Sequence, residues 1–157
     1  MANKVLVAVD ESKNSMRAVK YVAQTMRPDA SIALLSVLPD ATAACGLDSP
    51  SLTPLFKANR QAFCTIEDQK RYAVQEFMDE AVQVLLDAGF ARKNIKASIR
   101  KKKTGIARDI LREAKQGGYD TIVLGRKGLS GVKEFLMGSV PTKILSRAED
   151  IAVIVVH

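Results

Sequence analysis

The chain has 157 residues, 47% of them hydrophobic and 26% charged, with 9 Gly and 5 Pro; this composition excludes disorder, collagen and fibrous rods, and is that of a soluble globular chain long enough to bury a core without disulfide or metal staples. The formal charge of +7 (24 Lys and Arg against 17 Asp and Glu) invites a polyanion, but the whole excess falls between Arg92 and Lys103, and with 3 Tyr, 5 Phe and no Trp to stack on bases a nucleic-acid partner is not expected. No run nears the roughly 20 apolar residues of a membrane span, and the amino terminus lacks a basic segment followed by an apolar block, so no membrane association and a cytoplasmic location are expected.

Residues 4–9, Lys-Val-Leu-Val-Ala-Val, are β-branched and almost wholly apolar, as a strand covered on both faces requires. Asp10 ends it, and Ser12 or Ser15 can cap a helix whose apolar positions Met16, Val19, Val22, Ala23 and Met26 recur at helical spacing. That helix stops near Pro28. Ile32–Val37 is a second buried strand, closed by Pro39, which cannot donate to a ladder. From about 39 to 58 three Pro, one Gly and scattered Ser and Thr supply turns rather than a period. This stretch is longer than most α/β connections and is expected to be a mobile loop with a lid as its functional reading.

Arg60–Ala88 reads as one long helix with apolar residues at Phe63, Ile66, Val74, Phe77, Met78, Ala81, Val84 and Leu85, left through Gly89 in a left-handed conformation. Ile95, Ala97 and Ile99 alternate with Lys96, Ser98 and Arg100, the period of a strand with one wet face, hence a sheet edge. Ile106, Ala107, Ile110, Leu111 and Ala114 form a helical stripe ending at Gly117 and Gly118; Thr121–Leu124 is another buried strand; a last helix runs from Lys133 or Phe135 to Ser146. Ile151–Val156 is six apolar residues without interruption. Five short strands alternating with four helices predict an α/β fold, an open parallel sheet with helices on both faces, spanning 1–157 as a single domain. The final strand is too apolar for an exposed edge; a homodimer pairing strand 151–156 with its copy would cover it, as would helices of the same subunit.

After the fourth strand come Gly125-Arg126-Lys127-Gly128 and Leu129-Ser130-Gly131, and later Gly138-Ser139. Glycine directly after a strand lets bare backbone approach a phosphate or ribose, and a helix start supplies free amides; each glycine can equally serve a turn or helix packing. Position favours the first reading, because Asp10, Val37 and Gly125 all fall at carboxyl ends of strands, where open parallel sheets bind ligands. Neither Gly-x-Gly-x-x-Gly after the first strand nor Gly-x-x-x-x-Gly-Lys-Ser/Thr occurs.

At these residues the chain resembles the universal stress protein family, in its ATP-binding branch. The signature of Gly, two residues, Gly, nine residues, Gly and Ser or Thr is matched by Gly125, Gly128, Gly138 and Ser139, and Val7-Ala8-Val9-Asp10 with Ser12 and Ser15 is similar to the family's opening. The resemblance implies a Rossmann-like sheet in order 3-2-1-4-5 and a dimer made through the last strand. It implies ATP with Mg²⁺ as ligand. Asp10 would meet the ribose or adenine, with Ala8 and Val9 in the floor and Val37 offering backbone contacts to adenine. Gly125 and Gly128 would approach ribose and phosphates, Gly138, Ser139 and Val140 would carry phosphate contacts, and Lys127 and Ser130 are further candidates. Arg126, Lys127 and Pro141 depart from the usual pattern, and Pro141 demands a first helical turn. Gly105 is placed at the border of the phosphate pocket.

Catalysis has little to stand on. The one histidine is His157, so histidine triads and multi-histidine metal sites are out. Cys45 and Cys64 are too far apart for a redox pair and read as ordinary thiols; Met16, Met26, Met78 and Met137 read as core fillers and Glu11 as a helix-start acid. No residue is evident to orient a water at a phosphoryl group. The expected function is nucleotide-dependent regulation in stress response, with an unidentified protein as partner. The alternatives are a nucleotide-independent interaction or chaperone-like dimer and a slow ATPase.

Overall fold

The computed structural model describes residues 3–39, 54–127 and 137–157, the side chains of 54–65 and Glu67 excepted. Gly128, Ser130, residues 40–53 of the expected loop, Cys45, the side chain of Cys64 and the proposed helix starts at Lys133 and Phe135 therefore lie outside the described residues.

Five strands, β1 (Lys4–Ala8), β2 (Ser31–Leu38), β3 (Ile95–Lys101), β4 (Thr121–Gly125) and β5 (Ala152–Val156), form one sheet in the order β3-β2-β1-β4-β5. Every pairing is parallel; β1 is central, with Val5 opposite Ile32 on one side and Thr121 on the other. Four α-helices are described, α1 (Lys13–Thr25), α2 (Pro54–Asp87), α3 (Ile106–Gly117) and α4 (Ser139–Arg147), with a 3-10 turn at Arg92–Asn94. Residues 54–58, expected in the loop, belong to α2, which starts on Pro54; a first-turn proline has no amide to lose and its fixed φ suits a helix.

Because strand side chains alternate in direction, β1 feeds two cores. Val5, Val7 and Val9 face α1 and α2 together with Val19, Val22, Leu34, Phe77, Met78 and Leu85. Leu6 and Ala8 face α3 and α4 together with Leu35, Val37, Ile110, Ile122, Leu124 and Ile144. The stripe on α2 runs through Val74, Phe77, Met78, Ala81 and Leu85. Ile66, assigned to that stripe by sequence, is 61% exposed because the core ends before its turn of the helix. Met137, expected as core filler, is likewise exposed, in the non-helical residue before Gly138.

Two helices leave their last turn by the same device. The Phe90 amide donates to the Leu85 carbonyl (3.1 Å) and the Tyr119 amide to the Ala114 carbonyl (2.9 Å), with Gly89 (φ 94°) and Gly118 (φ 64°) left-handed. A Cβ on Gly118 meets nothing within 4 Å, so Gly118→Ala tests backbone strain alone. It is expected to cost about 1 kcal/mol in urea unfolding.

The two sheet edges differ. β3 carries Lys96, Arg100 and Lys101 and lies at the sheet edge as expected, but its burial does not alternate: Ile95 is buried, Ala97 is exposed, and Ser98 and Ile99 are both half-buried. On it Arg100 makes a two-pronged ion pair with Glu113 of α3 (2.6 and 3.1 Å). β5 carries no charge and its residues from Val153 to Val156 are half-buried. Among the described residues no helix is long and apolar enough to cross a membrane.

Candidate functional site

The carboxyl ends of β1, β2 and β4 open into a crevice of about 300 Å³, within the size range of small-molecule sites. Ala8, Val9, Asp10, Val37, Gly125, Lys127, Gly138, Ser139 and Val140 all line it. Sequence reasoning thus named residues from three strand ends and one helix start that the fold brings together. Gly105 does not line it; α3 presents Ile106 and Ile110 instead. Arg126 also stays out: its guanidinium lies 3.3 Å from the His157 ring, so the basic pair Arg126-Lys127 is split and only Lys127 reaches the crevice.

Asp10 is held by the turn that starts α1. Its amide donates to Ser15 Oγ (2.9 Å), while its Oδ1 accepts the Ser15 hydroxyl (2.8 Å) and the Ser12 amide (3.0 Å). Ser12 is the helix cap, accepting the Ser15 amide at 3.2 Å. Both serines therefore serve the turn, and Asp10 Oδ2 takes no hydrogen bond from the described residues. Glu11 precedes the cap rather than sitting in the first helical turn. It lines the crevice, and its Oε2 is buried with no hydrogen-bond partner among the described residues.

At the opposite end, the Gly138 amide, expected to face phosphate, is already used: it donates to the Arg126 carbonyl at 2.9 Å. That bond sets the start of α4 against the exit from β4, and the Gly138 carbonyl caps the turn by accepting the Thr142 amide (3.2 Å) and hydroxyl (2.9 Å). Pro141 is the third helical residue, a first-turn position as its chemistry requires. The open donors at this helix start are then the amides of Ser139 and Val140, beside the Ser139 hydroxyl, where the helix dipole also favours an anion.

Gly125 has a reason to be glycine that the motif reading did not give. A Cβ there would lie 2.8 Å from the backbone carbonyl of Asn14 in α1, so its bareness seats a helix as well as opening the crevice. Among the lining residues that carried no site assignment in the sequence, the charged one beyond the strand ends and their turns is Lys70, the contribution of α2 among the described residues. It stands one turn before Val74, on the core-facing stripe, and a lysine continuing an apolar stripe is the signal that could have found it.

A model of the universal stress protein family matches residues 1–157. A universal stress protein of Bacillus subtilis (strain 168), YxiE, is 28% identical over 145 residues, 92% of either chain. Among solved structures, UspA of Lactobacillus plantarum is similar with a TM-score of 0.70 at 23% identity, covering 99% of this chain and 97% of its own. A universal stress protein of Archaeoglobus fulgidus, solved in complex with dAMP, has a TM-score of 0.63 at 15% identity, covering 100% and 98%.

Proposed function

Because the chain belongs to the universal stress protein family, we propose that its crevice binds an adenine nucleotide, ATP with Mg²⁺ in the cell, and that occupancy regulates a protein partner in the cytoplasmic stress response. The observation that carries this reading is the polarity of the crevice along the strand ends. One end has carbon walls from Val37, Leu38, Ile106 and Ile110 with the Lys70 side chain beside them, and the other holds the open amides of Ser139 and Val140 beside Gly125 and Lys127. A base belongs at the first end and phosphates at the second. Asp10 Oδ2 sits between them as an acceptor for ribose hydroxyls. The dAMP complex of the Archaeoglobus relative supports the ligand class. Mg²⁺ would arrive on the triphosphate, which neutralises it with water and phosphate oxygens.

The apolar, half-buried β5 supports a homodimer through that edge. Gly128 and Ser130 stay in the proposed phosphate-binding set on the motif alone.

Titrating nucleotide-free protein with ATP and Mg²⁺ in a calorimeter is expected to give saturable binding. Ser139→Ala, which removes a hydroxyl and keeps the amide, should weaken it about three- to tenfold. Absence of saturation up to millimolar ATP would overturn the reading. Native mass spectrometry of the same sample reports retained nucleotide and subunit number together.

A further inference from the structure

Two ionic groups in the crevice have no partner among the described residues. Glu11 Oε2 is buried without a hydrogen bond. Lys70, half-buried, makes no ion pair with any described residue, Glu11 included. The buried, unsatisfied Glu11 oxygen is costly unless something else meets it, while the half-buried Lys70 ammonium remains open to a ligand or to water. Their chemistry is complementary and fixed: a carboxylate only accepts, an ammonium only donates.

Topology says which part of a ligand they would meet. α2 packs on β2 and β3, so Lys70 enters from the β2 side, while Ser139 enters from α4, which packs on β5 beyond β4. β2 and β4 flank β1, two strand spacings or about 10 Å apart. Lys70 therefore stands at the carbon-walled end and Ser139 at the phosphate end. Glu11 follows Asp10 in the turn after β1, the strand next to β2, and lines the same crevice as Lys70.

Resting on the nucleotide reading above, we infer that Glu11 and Lys70 read the base: Glu11 accepts a hydrogen of the adenine amino group and Lys70 donates to the neighbouring ring nitrogen. Adenine offers that donor and acceptor side by side, whereas guanine and hypoxanthine put a carbonyl oxygen where the amino group stands. A carbonyl facing Glu11 sets acceptor against acceptor, so the pair selects adenine by repelling the alternatives as well as by holding the right base.

The test is equilibrium binding of ATP, ITP and inorganic tripolyphosphate to the wild type, Glu11→Gln and Lys70→Met. The wild type is expected to favour ATP over ITP by about tenfold or more. Glutamine can donate to a carbonyl as readily as accept from an amine, so Glu11→Gln should shrink that preference to about threefold or less. Lys70→Met should weaken ATP about tenfold and leave tripolyphosphate unchanged. Equal binding of ATP and ITP by the wild type, or an unaltered ratio in Glu11→Gln, overturns the base-reading pair while nucleotide binding stands. Equal weakening of ATP and tripolyphosphate in Lys70→Met makes Lys70 a phosphate group and overturns it too. A wild type that binds neither nucleotide removes the underlying reading and this one with it.

Discussion

Gly125→Ala is expected to destabilise the nucleotide-free protein by about 3 kcal/mol, and Gly125→Val to prevent cooperative folding. The added Cβ would lie 2.8 Å from the carbonyl carbon and oxygen of Asn14 and 2.9 Å from its Cβ. The clash is with helix backbone, so no side-chain rotation relieves it. Either α1 slides off the sheet, disturbing Val19 and Val22 in the core, or β4 shifts against β1, breaking the pairing at Ala8 and Leu124. Urea unfolding without ligand isolates this effect from any loss of binding. A change under about 0.5 kcal/mol would mean that α1 is loosely seated and that ligand approach alone asks for glycine there.

Asp109→Ala should have an effect of similar size, about 2–4 kcal/mol. Asp109 is buried in the first turn of α3 and ties down the chain that leaves β3. It accepts the amides of Lys103 (2.6 Å) and Thr104 (3.2 Å), the Thr104 hydroxyl (2.9 Å) and Arg112 Nη2 (2.7 Å). Alanine would leave two amides and a guanidinium without their acceptor. The same contacts set a pH dependence. Burial pushes the Asp109 carboxyl up, but the hydrogen bonds from Lys103 and Thr104 and the Arg112 charge outweigh it and hold the pKa below 3.8. A folded-state pKa below the unfolded one means that the contribution is present above the unfolded pKa and lost as pH falls through the folded one. Stability should thus drop below about pH 4. In Asp109→Asn, which cannot titrate, that component should be missing; the check is unfolding free energy measured stepwise from pH 5 downward, and an equally steep drop in the variant would refute the assignment.

The sheet was readable because its strands differ in exposure and therefore in pattern. Val5 to Val9 are covered on both sides and read as an unbroken apolar run, whereas Ile95 to Arg100 interleave polar residues because the strand lies at the exposed sheet edge. The crevice was readable where a residue sits at a strand end or helix start, since those positions follow from the strand pattern itself: Asp10, Val37, Gly125 and Ser139. Three features were not. The Gly138 amide is consumed by Arg126, a contact between segments twelve residues apart that no local pattern encodes. Glu11 stands just before the Ser12 cap and lines the crevice, and its place there depends on the path of the turn after β1 rather than on any local pattern. Lys70 reaches the crevice only because α2 overruns the strands it covers, a matter of how the helix is laid across the sheet.

The unlike borders of the sheet also bear on solubility at high concentration. Endless stacking of copies into a fibre by strand addition needs two receptive borders on each molecule, one to join the copy behind and one to receive the next. Here Lys96, Arg100 and Lys101 bring like charge wherever two β3 borders, or a β3 border and any basic neighbour, would meet. Of the two borders only β5 is uncharged, so two copies paired β5 to β5 would use the adhesive rim of both molecules, and growth would end at that pair.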